Sequence, residues 1–281
     1  MDHQAKDLGP ILTAHLFPKI ENMLLELLRS LTPEEWDTQT VSPKWKVKDV
    51  AAHLLDTQLR KLSLARDRYA AKSPAIDASF DLVAFINQLN AKGVAIYARL
   101  SPTVLISLME LASRESVAYH QSLNPFAPAQ FNVSWAGEEV SLNWFDTARE
   151  FTERWHHQQQ IRLAVNRPGI LTPELYHPVL DCFMRALPYT YRDVQAEPGT
   201  LLQFDVSGEC GGTWWLFGDG HAWRLVTESL GQRVSRITIP QAIAWRIFTK
   251  GIDKTSAAAE ISVEGDRTLG LHILSMKAVV G

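Results

Sequence analysis

The chain has little of what most often announces a function. Its two cysteines among 281 residues, Cys182 and Cys210, are too few for a disulfide framework. It has no Gly-rich phosphate loop and no Gly-x-Ser-x-Gly elbow, which removes a nucleotide cradle and a serine-hydrolase turn. The apolar run around Ile20–Leu31 is broken by Glu21, Asn22, Glu26 and Arg29, so it cannot span a bilayer. Neither sign of charge is in excess. Lys and Arg number 28 against 31 Asp and Glu, and the net charge of −3 gives no electrostatic case for nucleic acid or an anionic membrane. The polar start Met1-Asp2-His3-Gln4-Ala5-Lys6-Asp7 lacks the apolar core of an export signal, and the cytoplasm is the expected compartment. Repeats and low-complexity segments are absent as well.

What remains is a globular composition, 46% hydrophobic and 21% charged, in a chain long enough for two domains. Residues 10–122 read as helices. Ile20, Met23, Leu24, Leu27 and Leu28 recur at the helical period, and Thr32-Pro33-Glu34-Glu35 is a strong helix start. A second long helix is expected from Trp45 to about Ala71, a third over 82–100 and a fourth over 104–122. Residues 124–142 form a loop. A helix from Trp144 to about Val165 follows, then one opened by Thr172-Pro173-Glu174. The texture changes after Gln195. Strand-like runs at 202–206, 213–217, 222–226 and 234–239 lead to a helix opened by Pro240 and capped by Gly251. A strand over 259–263 and a helix over 269–279 complete the expectation. The fold class is α+β in two domains, residues 1–194 a helical bundle with a connecting helix and residues 195–281 a small α+β unit.

The most informative stretch is Glu153-Arg154-Trp155-His156-His157 with Gln158, Gln159 and Gln160 after it. Positions i and i+4 share a helix face, so Glu153 and His157 can grip one metal ion. An earlier helix carries His53, and the three together make a His₂Glu set, a catalytic zinc arrangement with its fourth position open. Asp49, Asp56 and Glu150 are the spare acids that would orient ligand imidazoles. A helical wheel points elsewhere. His53 lies well away from the stripe of Val47, Val50, Leu54 and Leu55, and Glu153 and His157 lie opposite Trp144, Ala148, Phe151 and Trp155. The bland alternative is two solvated polar faces and an ordinary Glu–His pair worth about 0.2–0.5 kcal/mol. His156 has three readings: a fourth ligand, a support for the ligands, or a surface imidazole. Cys182 reads as a small core residue and Cys210 as an unimportant turn residue.

The runs Trp45-Lys46-Val47-Lys48-Asp49-Val50-Ala51-Ala52-His53-Leu54 and Glu153-x-x-x-His157 resemble the DinB-like superfamily of four-helix bundles, and within it the mycothiol-dependent maleylpyruvate isomerase branch. That resemblance implies a divalent metal, zinc first and nickel second, held by His53, Glu153 and His157. The isomerase branch usually has Asp where Gln160 stands, which makes Gln160 a further supporting candidate and leaves the thiol and substrate open. The second half resembles the sterol-carrier-like domain attached to the isomerase bundle, more loosely, through strand order and Trp245-Arg246-Ile247-Phe248-Thr249-Lys250-Gly251.

A metal that deprotonates a bound thiol supplies a thiolate for attack on an electrophilic carbon. The resemblance therefore implies a thiol S-transferase or isomerase that uses a low-molecular-weight thiol of the mycothiol type on a small substrate. An acidic substrate would also want a fixed cation, and Arg224, Arg246 and Lys250 of the second half are the candidates. Two alternatives stay open: a metal-dependent hydrolase with Glu150 as base, and a non-enzymatic binder of a small apolar ligand. The expected partners are a small substrate and a thiol, with a monomer or homodimer as the assembly.

Overall fold

A computed structural model describes residues 8–69, 81–228, 232–276 and 278. Helix α1 (Phe17–Arg29) buries Phe17, Ile20, Leu24, Leu27 and Leu28, the stripe that the helical period dictates. A one-turn α2 (Pro33–Trp36) follows. It is fixed by a capping box in which the Glu35 amide donates to Thr32 Oγ1 and the Thr32 amide donates to the Glu35 carboxylate. Helix α3 (Val47–Lys61) starts where the Lys46 amide donates to Asp49 Oδ2 at 2.9 Å. It continues into one π turn, Leu62–Arg66, before the chain leaves the helix. The expected end near Ala71 lies outside the described residues.

Helices α4 (Leu82–Tyr97) and α5 (Pro102–Ser122) come next, each opened by a side chain that accepts from the backbone three residues on, Asp81 and Ser101 respectively. Residues 124–142 are a loop, as the sequence indicates. It contains a short 3₁₀ turn at Ser134–Ala136, and Gly137 takes the left-handed conformation that ends that turn. Helix α6 (Asn143–Ala164) is the longest element. The chain then reverses through Asn166, and Arg162 donates to the carbonyls of Arg167 and Pro168. The helix expected from Thr172 divides into α7 (Pro173–Met184) and α8 (Leu187–Tyr191).

The second half forms one sheet. Its strands are β1 (Thr200–Ser207), β2 (Gly212–Gly218), β3 (Trp223–Val226), β4 (Gln232–Pro240) and β5 (Ser262–Gly265), in the order β3-β2-β1-β4-β5. Only the central β1–β4 pairing is parallel. Period-two alternation sets its faces. Leu202, Phe204 and Val206 turn to the core, while Gln203 and Asp205 turn away, the Asp205 carboxylate accepting from Gln203, Thr213 and Arg236. Helix α9 (Gln241–Phe248) ends as expected, except that Lys250, at φ 59°, takes the left-handed position ahead of Gly251. Two expectations are corrected here. Residues 254–260 are helix α10 (Lys254–Glu260), capped by Asp253 accepting from two backbone amides, so the strand starts at Ser262 rather than 259. The last helix is α11 (Arg267–Leu271) followed by a 3₁₀ turn at His272–Ser275; Met276 and Ala278 are not helical, and residues 277 and 279 of the expected 269–279 span lie outside the described residues.

Helix α6 belongs to both halves. Its apolar stripe, Ala148, Phe151 and Trp155, enters a core continuous with α7, α9 and the sheet. Trp155 stacks on Tyr176 at 4.3 Å and meets Trp245 edge-on at 6.1 Å, while the Tyr176 hydroxyl donates to the Gln241 carbonyl. A second core is built by α1, α3 and α5 around Leu24, Leu28, Val50, Leu54, Leu105 and Met109, with Ile161 reaching in from α6. Between these cores the polar face of α6 meets the polar side of α3. The wheel's solvated-face alternative fails for that reason: His53, Asp56, Glu150, His157 and Gln160 are all buried, while Asp49, Arg60, Arg149 and Glu153 are partly exposed.

Candidate metal centre

The middle of α3 and the middle of α6 bring His53, Glu153 and His157 together. One ligand atom from each lies within 4.8 Å of the other two. His157 Nε2 is 3.5 Å from Glu153 Oε2, and two donors of a tetrahedral zinc with bonds near 2.0–2.1 Å sit about 3.4 Å apart. The imidazoles of His53 and His157 are 4.6 Å apart, centre to centre, with Trp45 laid over both at 4.7 and 5.9 Å. His53 Nδ1 is buried and finds no hydrogen-bond partner among the described residues. A buried unpartnered nitrogen beside a carboxylate and a second imidazole is a donor set that fits a divalent cation.

The electrostatics favour a neutral His53 and an ionised Glu153, the forms a cation requires. Burial, then the neighbouring His157, pushes the His53 pKa well below its usual value. Burial would raise Glu153, but His156 and His157 outweigh it and hold the carboxyl at about 2. Gln160 Oε1 accepts from His157 Nδ1 at 2.9 Å, which puts the proton on Nδ1 and aims the Nε2 lone pair at the cluster. His156 is not on the surface. It is buried against His157, its Nδ1 donates to the Thr152 carbonyl, and burial first, then His157, lowers its pKa to about 4.

The supporting candidates have distinct places. Gln160 reaches a candidate ligand. Asp49 holds the start of α3, and Asp56 pairs with Arg60 at 2.7 Å. Glu150 bonds Arg149 and sits 3.4 Å from Lys61. Burial would raise its pKa, but Lys61, Arg149 and Arg154 outweigh it and hold the carboxyl below the usual range. A carboxylate held ionised by three cations is a weak proton acceptor, which argues against Glu150 as a hydrolytic base. The three cations expected from the second half border neither chamber described below: Arg224 lies over the Phe217 ring at 5.2 Å, the Arg246 Nε donates to the Gly251 carbonyl, and Lys250 is exposed at the end of α9. Cys182 is buried, and burial raises its pKa, as suits an inert core thiol.

His53 and Glu153 border two chambers. One, of about 290 Å³, has four basic residues in its lining, Arg60, Lys61, Arg149 and Arg154, against two acids, Glu150 and Glu153. Apolar Leu64, Ile86, Phe131 and Trp135 complete it. The other, of about 450 Å³, is bordered by Trp45, His156, His157, Lys44 and the uncharged polar groups of Ser42, Asn87, Asn90, Gln160 and Thr249. Thr249, which directly follows α9, is the contribution of the second half among the described lining residues. Reading the sequence missed Arg154, Lys61, Asn87 and Thr249. Arg154 sits inside the motif itself, but nothing local to it announces a buried guanidinium.

No curated protein matches the chain. Among solved structures the chain is similar to a crystal structure of the mycothiol-dependent maleylpyruvate isomerase with a histidine-to-alanine substitution, at TM-score 0.53 and 10% identity over 89% of this chain and 91% of that one. It is also similar to a second crystal structure of the mycothiol-dependent maleylpyruvate isomerase, at TM-score 0.48 and 11% identity over 83% and 86%. At such identity the likeness concerns the fold. Among the described residues no helix is long and apolar enough to cross a membrane. The sequence pattern described as the mycothiol maleylpyruvate isomerase N-terminal domain matches residues 17–162, which is more than half of the chain and includes His53, Glu153 and His157, and the chain belongs to that family.

Proposed function

We propose that this protein is a metal-dependent enzyme of the maleylpyruvate isomerase type, using a low-molecular-weight thiol of the mycothiol class on a small electrophile. The observation that carries the reading is the convergence of two imidazoles and one carboxylate between two chambers. His53 and His157 would supply nitrogen and Glu153 oxygen to a divalent ion, zinc before nickel. A +2 ion with one carboxylate ligand leaves a net positive site that favours a thiol in its thiolate form.

The chain's own residues do the rest. Gln160 fixes the His157 tautomer. Trp45 covers the imidazoles and limits water. The hydroxyl and amide groups of Ser42, Asn87, Asn90, Gln160 and Thr249 in the larger chamber suit a hydroxyl- and amide-rich thiol, and the smaller basic chamber suits the electrophile. Thiolate addition to a cis double bond, rotation and departure would give isomerisation; retention of the sulfur would give transfer. On this reading residues 1–194 are the metal-binding unit, built on a four-helix bundle. Residues 195–281 are a sterol-carrier-like unit that brings Thr249 to the site, in a cytoplasmic protein.

Metal analysis of the purified chain and of His53→Ala, Glu153→Ala and His157→Ala tests it. About one zinc-like ion per wild-type chain is expected, lost in each variant that still folds. Full metal in the folded variants, or none in the wild type, overturns the reading. Turnover of an ester without added thiol would move the assignment to a hydrolase.

A further inference from the structure

The smaller chamber has one thin wall. Leu64 and Phe131 line it, and the same two residues line an outer cleft of about 500 Å³, whose other described lining is Arg68, Pro128, Ala129 and Gln130. At that wall the π turn after α3 meets the 124–142 loop. The loop is anchored on either side. The Ala129 amide donates to the Ser141 carbonyl at 2.8 Å, and the Val133 amide donates to Ser141 Oγ at 2.9 Å, with Ser141 and Val133 fully buried. Asn132 is tied back as well, donating to the Glu139 carbonyl. Gln130 and Phe131 stand between these anchors and reach α3 through their side chains. Gln130 Nε2 donates to the Leu64 carbonyl at 2.9 Å, a bond exposed to water, and the Phe131 ring lies 4.6 Å from Lys61 Nζ. The π turn makes the first contact available. The Tyr69 amide, five residues after Leu64, donates to the Ser63 carbonyl at 2.9 Å, and the Leu64 carbonyl accepts from the loop instead.

We propose that Gln130 and Phe131 form a gate, and that small molecules pass between the outer cleft and the smaller chamber when the Phe131 ring swings away from Lys61 and Leu64. Opening strands no charge. The Lys61 ammonium keeps its ion pair with Asp146 at 2.7 Å and its approach to Glu150 at 3.4 Å whether or not the ring covers it. The Gln130 amide exchanges one exposed bond for water, which is nearly neutral in free energy. Side chains of this kind change rotamer quickly, and the fixed anchors at Ser141 return the ring to the same place. Closed, the ring covers the chamber that His53 and Glu153 border and limits the water that reaches them. Leu64, Gln130 and Phe131 are not among the described residues that line the larger chamber, so the gate serves one chamber and the two fill by different routes. This inference goes beyond the proposed reaction and does not rest on it.

Thiol labelling of the metal-stripped full chain tests the gate. Cys182 and Cys210 are both buried, so a thiol placed in a chamber reports access to it. Thr57→Cys places one in the smaller chamber and Asn87→Cys one in the larger. Modification by N-ethylmaleimide is followed by intact mass. Adding Phe131→Ala is expected to speed labelling of the Thr57→Cys protein about tenfold, through loss of the ring's hold on Lys61. Adding Gln130→Ala is expected to speed it about 2- to 10-fold, the effect of one exposed hydrogen bond. Labelling of the Asn87→Cys protein should change under neither. An unchanged rate at Thr57→Cys in the folded Phe131→Ala protein overturns the proposal. Equal acceleration at both positions also overturns it, since that marks general loosening of the fold. Should Phe131→Ala not fold, Gln130→Ala, at an exposed position, decides by the same two readings. With no metal present, the gate stands or falls apart from the metal reading.

Discussion

At the scale of single residues, the candidate site depends on which nitrogen carries a proton. Gln160 accepts from His157 Nδ1, and removing that acceptor frees the ring to take the other tautomer. Gln160→Ala is expected to weaken metal binding about 10- to 100-fold by chelator competition, and Gln160→Glu to retain it. His120 carries a different consequence. It is buried against Phe17 at 4.4 Å, both ring nitrogens lack partners among the described residues, and burial above all lowers its pKa to about 3. The unfolded chain, with a histidine near its ordinary 6.5, takes up a proton between pH 6.5 and 3 that the folded protein refuses. Folded stability therefore falls on acidification through that window, by at most about 1.4 kcal/mol per pH unit from this group. His120→Phe is expected to flatten the denaturant-derived stability between pH 6 and 4 by that slope; an unchanged slope would show that His120 protonates in the fold. The meeting of His53, Glu153 and His157 was legible in the chain because the i,i+4 spacing and the resemblance mark those residues. The His120 and Arg154 environments were not, since they depend on α1 and α3 residues far away in sequence.

Helices and strands were legible where a local signal governs them. The Thr32 capping box, the alternation of Leu202, Phe204 and Val206, and the Asp219-Gly220 turn between β2 and β3 all stand as the pattern implies. The strand expected at 259 failed because Asp253 caps a helix whose alanines suit either reading until the cap is weighed. The helical wheel erred for a different reason. It ranks faces by hydrophobicity, but α3 and α6 turn their polar sides toward each other, and burial of those sides is a property of the pair. Asp49 belongs to this scale: it accepts the Lys46 amide and starts α3 one turn before His53. Asp49→Ala is expected to cost about 1 kcal/mol in thermal or denaturant unfolding. Metal content at saturation should not change; a variant with unaltered stability but less metal would move Asp49 to the ligands.

In the molecule as a whole, the helical half and the sheet share one apolar core through Trp155, Tyr176 and Trp245. Trp155→Ala should therefore cost about 3–5 kcal/mol, and the loss should appear in probes of both halves during chemical denaturation. Two separate transitions, only one of them displaced, would contradict a shared core. The passage from helices to strands was legible as a change in texture after Gln195, with β1 starting at Thr200, but texture says nothing about whether the parts on either side cohere. One further consequence follows from α6 lying between two layers. Between Phe145 and Arg162 only Arg149 and Glu153 escape full burial. An ordinary surface helix forgives replacement every third or fourth position, on the side that water wets. This one has no forgiving side, so a saturation survey of its substitutions would trace an unbroken plateau of intolerance, and homologues would drift around it rather than through it.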